Sequence, residues 1–275
     1  MRVSTNITSM VAQRYVQHHT EEAAHKDSEL SSGERIVRAA DDPAGLAISD
    51  KMRAHLRSNY QAERNTNDSI SLLQVAEGSL ATMTEISSRL RELSMQSASD
   101  TVSDMDRAII DKEFQQLKRE VERLTVSTSF NGNNVIKGSE SVYDLQIGVH
   151  GDSNDRIRYD MGKVMDSTNN FGINSINLRS KESSQQSLVA LDKMLTQISS
   201  SRAMLGGMSN RMSNVMANLQ VSRENLSASN SKIKDADIAA EAANQAKTKI
   251  AQSASLSMLK ISNDQPGMIL KLVGG

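Results

Sequence analysis

Leu191, Ile198, Leu205, Met212, Leu219, Leu226 and Ile233 follow one another at intervals of seven without a miss. A straight α-helix turns every 3.6 residues. A strict seven-residue apolar repeat therefore stays on one face only if the helix supercoils along another helix. Leu188, Leu195 and Met216 share the other seam position, which Arg202, Ser209 and Arg223 interrupt. A helix of ~50 residues is ~75 Å long, too long for a compact globule. This stretch commits the chain to long helices packed side by side, with one such helix predicted at 182–233.

The rest of the chain fits that frame. Aromatic residues make up 3% with no Trp, so large aromatic anchors do not organise the core. Leu, Ile, Val, Ala and 15 Met supply helix–helix seams, and two Pro leave long helices uninterrupted. Residues 5–32 read as a helix with a polar middle. In 44–99, Ile70, Leu73, Ala76, Leu80, Met83, Ile86, Leu90 and Leu93 recur in steps of three and four. Asp104 opens a helix over 104–128, where Ile110, Phe114, Leu117, Val121 and Leu124 step as a heptad. After "NSKIKDAD" a last helix carries a small-residue stripe: Ala239, Ala242, Ala243, Ala246, Ile250, Ala254, Met258 and Ile261. Pro266 is expected to end it, leaving an apolar tail with Ile269, Leu270 and Leu272.

The period changes at "FNGNN", where Asn131-Gly132 signals a turn. Tyr143, Leu145, Ile147 and Val149 then alternate with polar or small residues, and Ile157, Tyr159 and Met161 alternate again after "HGDSND". This predicts a β-hairpin at about 142–161, followed by an irregular stretch to about residue 179. In "SSGERIVRAADDPAGLAIS", Gly33 reads as a helix C-terminus, Asp42 as an N-cap and Pro43 as the first helical residue. Residues 34–43 are then a non-helical connector. The expected fold class is mainly α: an elongated antiparallel helical bundle or coiled-coil rod with one β-hairpin. The two termini (1–33 and 235–275) are expected to meet at one end of the rod, which 44–234 form.

Several function classes lose support. Net charge is −1, which leaves no electrostatic footprint for nucleic acid. There is no apolar run of 18 for a membrane span, and "MRVSTNITSMVAQRY" does not read as a cleavable secretory signal. Without Cys there is neither a disulfide frame nor a thiol-ligated metal. His18, Glu22 and His25 share a helical face, a spacing open to a metal or a pH-sensitive contact. A solvated polar stripe is the plainer reading, and no metal or cofactor is expected. Acid pairs at Asp41-Asp42, Glu21-Glu22 and Asp235/Asp237 fall at helix starts or on polar faces. "LGGMSN" (205–210) has no preceding strand and no Lys-Ser/Thr, so it is not a phosphate loop. Its Gly pair is expected to let helices approach closely. Met204, Met208, Met212 and Met216 read as packing. No convergent catalytic site is visible, and the chain is not expected to be an enzyme.

The words "STNITSMVAQR", "LSSGERI", "DDPAGLAIS", "ERNTNDSISLLQVAEGSL", "RLRELSMQSAS", "FNGNNVI", "SRAMLGGMSNRMSNVMANL", "ENLSASNSKIKDADIAAEAA" and "QPGMILKLV", in this order, resemble bacterial flagellin from end to end. The resemblance is weakest between about 150 and 180. It implies an inner domain, D0, made from both termini, and a surrounding rod, D1. "NNFGINSINLRSK" returns directly to the C-terminal helix, which implies a minimal form without outer domains. It further implies a structural subunit that polymerises into an extracellular filament, mixed or not with other flagellins. The subunit would leave the cell unfolded by type III export and fold on assembly. Implied partners are an export chaperone at the C-terminal region, the export apparatus, and filament cap and hook-associated proteins.

On this reading Arg35, Arg38, Asp41, Asp42 and Pro43 serve inter-layer or inter-subunit contacts. So do the seven-spaced residues Leu191 to Ile233, together with Ala239, Ala243, Ala246, Ile250, Met258, Ile269, Leu270 and Leu272. Arg89, Leu93 and Glu113 match positions where animal Toll-like receptors contact D1. The chain departs from the family at Ala23, Asp27 and Glu34, where apolar residues are usual. The N-terminal helix is therefore expected to pack less through apolar contacts than is usual. The competing readings are a hook–filament junction protein and a signalling coiled coil. The latter predicts unbroken heptads where this chain has strands.

Overall fold

In the computed structural model, backbone is described for residues 6–136, 142–160 and 176–273, and side chains up to residue 268. Among the described residues there are five long helices: α1 (Ile7–Ser32), α2 (Pro43–Ser97), α3 (Asp104–Ser127), α4 (Lys181–Lys234) and α5 (Ile238–Val273). Their ends are chemically marked. Asn6 accepts from the Ser9 amide at 3.0 Å to cap α1, and Gly33, at φ 70°, closes it with its N–H on the Glu29 carbonyl. Asp42 caps α2 through the Gly45 amide at 2.9 Å, with Pro43 as its first residue. Ser103, Ser180 and Asp237 cap the other three. The C-terminus of α2 has no basic residue in its last turn. Arg107 supplies that charge from the next helix, donating to the carbonyls of Ser97, Ser99 and Val102.

Among the described residues two antiparallel strand pairs follow α3. β1 (Ser129–Phe130) and β2 (Asn133–Asn134) flank Asn131-Gly132, both at positive φ, as a type I′ turn requires. β3 (Val142–Gln146) pairs with β4 (Arg156–Asp160) in the register Leu145↔Ile157 and Tyr143↔Tyr159. The first strand stops before Ile147 and Val149, which the alternation had included. The amides of Ile147 and Gly148 both turn to the Asp155 carbonyl, and this ends the ladder. Met161 and the segment to residue 175 lie outside the described residues.

The chain divides into two compact units, Met1–Leu56 with Glu224–Gly275, and Arg57–Arg223. The expected boundaries were 33 and 235. The first unit is wider because it also holds the connector, the first turns of α2 and the last turns of α4. Ser49 on α2, for example, donates to Asn230 on α4 at 2.8 Å.

In the second unit α2 and α4 run antiparallel, with Asn59 against Ser222 and Ser97 against Ser184. Its core joins Leu73, Leu80, Met83, Leu90 and Leu93 of α2 to Phe114 and Val121 of α3. Leu191, Ile198, Leu205 and Met212 of α4 and the strand residues Ile157 and Tyr159 complete it. The second seam line of α4 is Ser187, Met194, Ser201, Met208 and Val215, one residue earlier than Leu188, Leu195 and Met216. Buried serines occupy it, so an apolarity pattern passes over it. Their hydroxyls bond back to their own helix, Ser187 to Ser184 at 2.7 Å and Ser201 to Gln197 at 2.8 Å, which lets a small polar residue be buried. On α2, Ser87 and Ser94 do the same. A Cβ added to Gly206 or Gly207 would meet nothing within 4 Å. The close approach expected of that pair is absent, and the serines are the small residues at the contact.

In the first unit α1 packs antiparallel on α5. Pro266 lies inside α5 and does not end it. Proline has no N–H, so the carbonyl of Ser262, four residues earlier, lacks its helical donor. The Asn6 side-chain amide donates to that carbonyl at 2.8 Å, while its oxygen caps α1. This replacement bond removes one reason for the helix to stop.

Candidate functional site

The first unit carries most of the residues singled out in the sequence. Its seam on α1 is Ser9, Ala12, Val16, His19, Ala23, Lys26 and Leu30, and on α5 it is Glu241, Gln245, Thr248, Gln252, Ser255, Leu259 and Ser262. Both lists step by three and four, so this is a heptad interface, but a polar one. Gln252 donates to Thr20 at 3.0 Å, Ser262 to Thr8 at 2.9 Å, and Lys26 bridges Glu29 and Glu241 at 2.6 and 3.0 Å. Asp27 is exposed and paired with Gln245 and Lys249. Ala23 lies in, and Asp27 flanks, a seam built largely from amides, hydroxyls and ion pairs.

These contacts set protonation. The Glu29 hydrogen bond, with Glu241 in support, raises the Lys26 ammonium above its usual value. The Gln245 amide and then Lys249 lower Asp27, and Lys26 lowers Glu241.

Because the inward face of α5 is polar, its apolar stripe points elsewhere. Ala239, Ala243, Ala246, Ile250, Ala254, Met258 and Ile261 are all exposed, with Ile250 at 71% and Met258 at 62%. Isolated exposed apolar residues are ordinary, but a stripe along one helix is not. On α1, Ile7, Met10 and Tyr15 are likewise bare. The side chains of Ile269, Leu270 and Leu272 lie outside the described residues.

The connector is held at both ends. Glu34 pairs with Asp235 in an antiparallel bridge, the Arg35 amide donates to the Lys234 carbonyl at 2.6 Å, and the Arg35 guanidinium donates to Ile233 at 2.7 Å. Asp41 accepts from the amides of Val37 and Arg38, and His25 lies 2.9 Å away. The Arg38 amide, followed by His25 and Val37, holds the Asp41 carboxyl below its usual value. Arg38 contributes its backbone and keeps its side chain exposed. Gly45 faces a tight site, where an added Cβ would lie 2.8 Å from Ile36 Cδ1. The Glu34 carboxylate lies 2.9 Å from the buried Lys234 ammonium and 3.5 Å from Arg53. Sequence reasoning marked Glu34 as a departure but missed Lys234 and the buried Ile36. An apolar residue inside a polar connector was the available signal for Ile36.

Two expectations need correction. Leu191, Ile198, Leu205, Met212 and Leu219 are buried inside the chain, so they are not a free interface. Their long partner is α2 of the same molecule. Only Leu226 and Ile233 of that series are half-buried. Leu93 is 2% exposed and belongs to the same core, so it presents no side chain to a receptor. Arg89 and Glu113 are brought together at the surface, with guanidinium nitrogens 3.0 and 3.1 Å from the carboxylate, while Glu92 lies 3.0 Å from the same side chain.

Known proteins are similar to this chain. The bacterial flagellin N-terminal helical region matches residues 3–141 and the C-terminal helical region matches residues 188–273. A flagellin of Halalkalibacterium halodurans is 38% identical, covering 99% of this chain and all of that protein. The flagellar filament 30.7 kDa core protein of Treponema maltophilum is 35% identical over 99% of this chain and all of its own length. The crystal structure of Bacillus cereus flagellin aligns with a TM-score of 0.50 at 25% identity, over 57% of this chain and 88% of that one. With both terminal regions matched, and relatives of equal extent, this chain belongs to the bacterial flagellin family.

Proposed function

We propose that this chain is the structural subunit of an extracellular flagellar filament and not an enzyme. The observation that carries this reading is the bare apolar stripe of α5, turned away from the polar seam with α1. Contacts between unlike surface patches do not close on themselves and generate open helical polymers. On this reading residues 1–33 and 235–275 form the inner layer, and the stripe from Ala239 to Met258, together with Ile269, Leu270 and Leu272, meets neighbouring subunits. The connector, with Arg35, Arg38, Asp41, Asp42 and Pro43, fixes the start of α2 between the layers.

The finer partners follow from the same feature. Before assembly the stripe needs a cover, which fits an export chaperone on the C-terminal region and export in an unfolded form. Folding on assembly then offsets the ordering entropy of the terminal helices with contacts made at that moment. The cap, hook-associated proteins and other flagellins would meet the same surface. The Arg89–Glu113 pair is the exposed part of the receptor-contact region. The hook–filament junction reading fits less well, because relatives named as flagellin and filament core protein match this chain end to end.

Electron microscopy of the purified protein added to short filament seeds tests the proposal. Long filaments are the expected result. Seeds that fail to lengthen would instead support the junction protein.

A further inference from the structure

We propose that His18, His19 and Glu22 form a binding site for a borderline divalent transition metal, with zinc as the probe. Glu22 stands four residues from His18 and three from His19, so the three side chains reach one patch of α1. His19 Nδ1 lies 3.4 Å and His18 Nδ1 3.9 Å from the same Glu22 Oε2. One donor atom from each residue lies within 4.8 Å of the other two. Zinc–ligand bonds near 2.0–2.1 Å in a tetrahedron set donors about 3.3 Å apart, so modest side-chain rotations close the set. The two rings meet edge to face, 5.4 Å apart and at 88°. Among the described residues no Lys or Arg pairs with Glu22.

His25 is excluded from this site. Its two ring nitrogens lie 3.2 Å from Glu29 and 2.9 Å from Asp41, and these contacts hold the connector. The triad that helical spacing suggested therefore gives way to one in which the adjacent His19 replaces His25.

Two imidazoles and one carboxylate suit zinc, nickel or copper(II), whereas calcium and magnesium take all-oxygen sets. Three protein ligands leave a fourth position for water. The donors converge only while α1 is helical, so the metal favours the folded helix.

Calorimetry of zinc into filaments assembled from the full-length chain, in which α1 is helical, with solid-state ¹⁵N spectra of the histidine rings, tests the site. One zinc per chain is expected, with the ring nitrogens of His18 and His19 shifting and those of His150 unchanged. His18→Ala and Glu22→Gln should each weaken binding at least about tenfold, since even outer-shell partners are worth 10–100-fold. His150→Gln should bind as the parent does. The absence of stoichiometric binding, ring shifts at other histidines, or unchanged affinity in both variants would each overturn the proposal. The ring shifts need no substitution, so a variant that misfolds leaves the test intact.

Discussion

Glu34 carries a charge into the connector, and Lys234 accounts for it. The lysine is buried at the end of α4, and burying an ammonium without a partner is costly. Glu34 meets it across the bridge to Asp235, with Arg53 on its other side. Glu34→Ala should lower unfolding stability by about 2 kcal/mol, less than for a fully buried pair because Glu34 is about a third exposed. Glu34→Leu combined with Lys234→Met should restore most of it, since apolar residues can replace such a pair at little cost. Urea unfolding of the three proteins measures both values. Equal losses in the single and double variants would contradict the pairing. The sequence shows Glu34 as an oddity but not its partner, because that choice depends on how the two chain ends meet. The caps at Gly33, Asp42 and Pro43, by contrast, are local chemistry, and they are read correctly without any tertiary knowledge.

Element periodicity is equally legible where burial and apolarity coincide. The four helices up to Lys234 begin and end within two residues of their expected bounds. The α1–α5 seam is harder to read because its heptad is polar, and the visible apolar stripe of α5 lies on a different face. Pro266 misleads for a related reason: its effect depends on Asn6, far away in sequence. The polar seam and the connector beside it have a pH signature. Asp27, Asp41 and Glu241 are lowered from 3.8, 3.8 and 4.5, so each contributes stability above those values and loses it as pH falls through its lower folded value. Lys26 is raised from 10.5, so its contribution is complete below 10.5 and is lost as pH rises through its higher folded value. Amide exchange of α1 and α5 in the assembled filament should therefore be most protected between about pH 5 and 10 after correction for intrinsic rates. Protection that stays flat down to pH 3 would contradict the assignment.

At the scale of the molecule, the two kinds of apolar pattern have separate destinations. The seven-residue series from Leu191 to Leu219 is consumed within the chain against α2, while the stripe from Ala239 to Ile261 stays uncovered. Periodicity identifies both as contact surfaces. It cannot say which partner each meets, because an intramolecular helix and a neighbouring subunit offer the same apolar face. Sedimentation of polymer from the double variant Ile250→Asp, Met258→Asp tests this division most directly, with far-UV circular dichroism as the measure of fold. Because both side chains are exposed, the account predicts unchanged helicity and a critical concentration for polymerisation at least about tenfold higher, as expected if burying each apolar side chain contributes about 1.5 kcal/mol or more. Polymerisation at the parental concentration would contradict it.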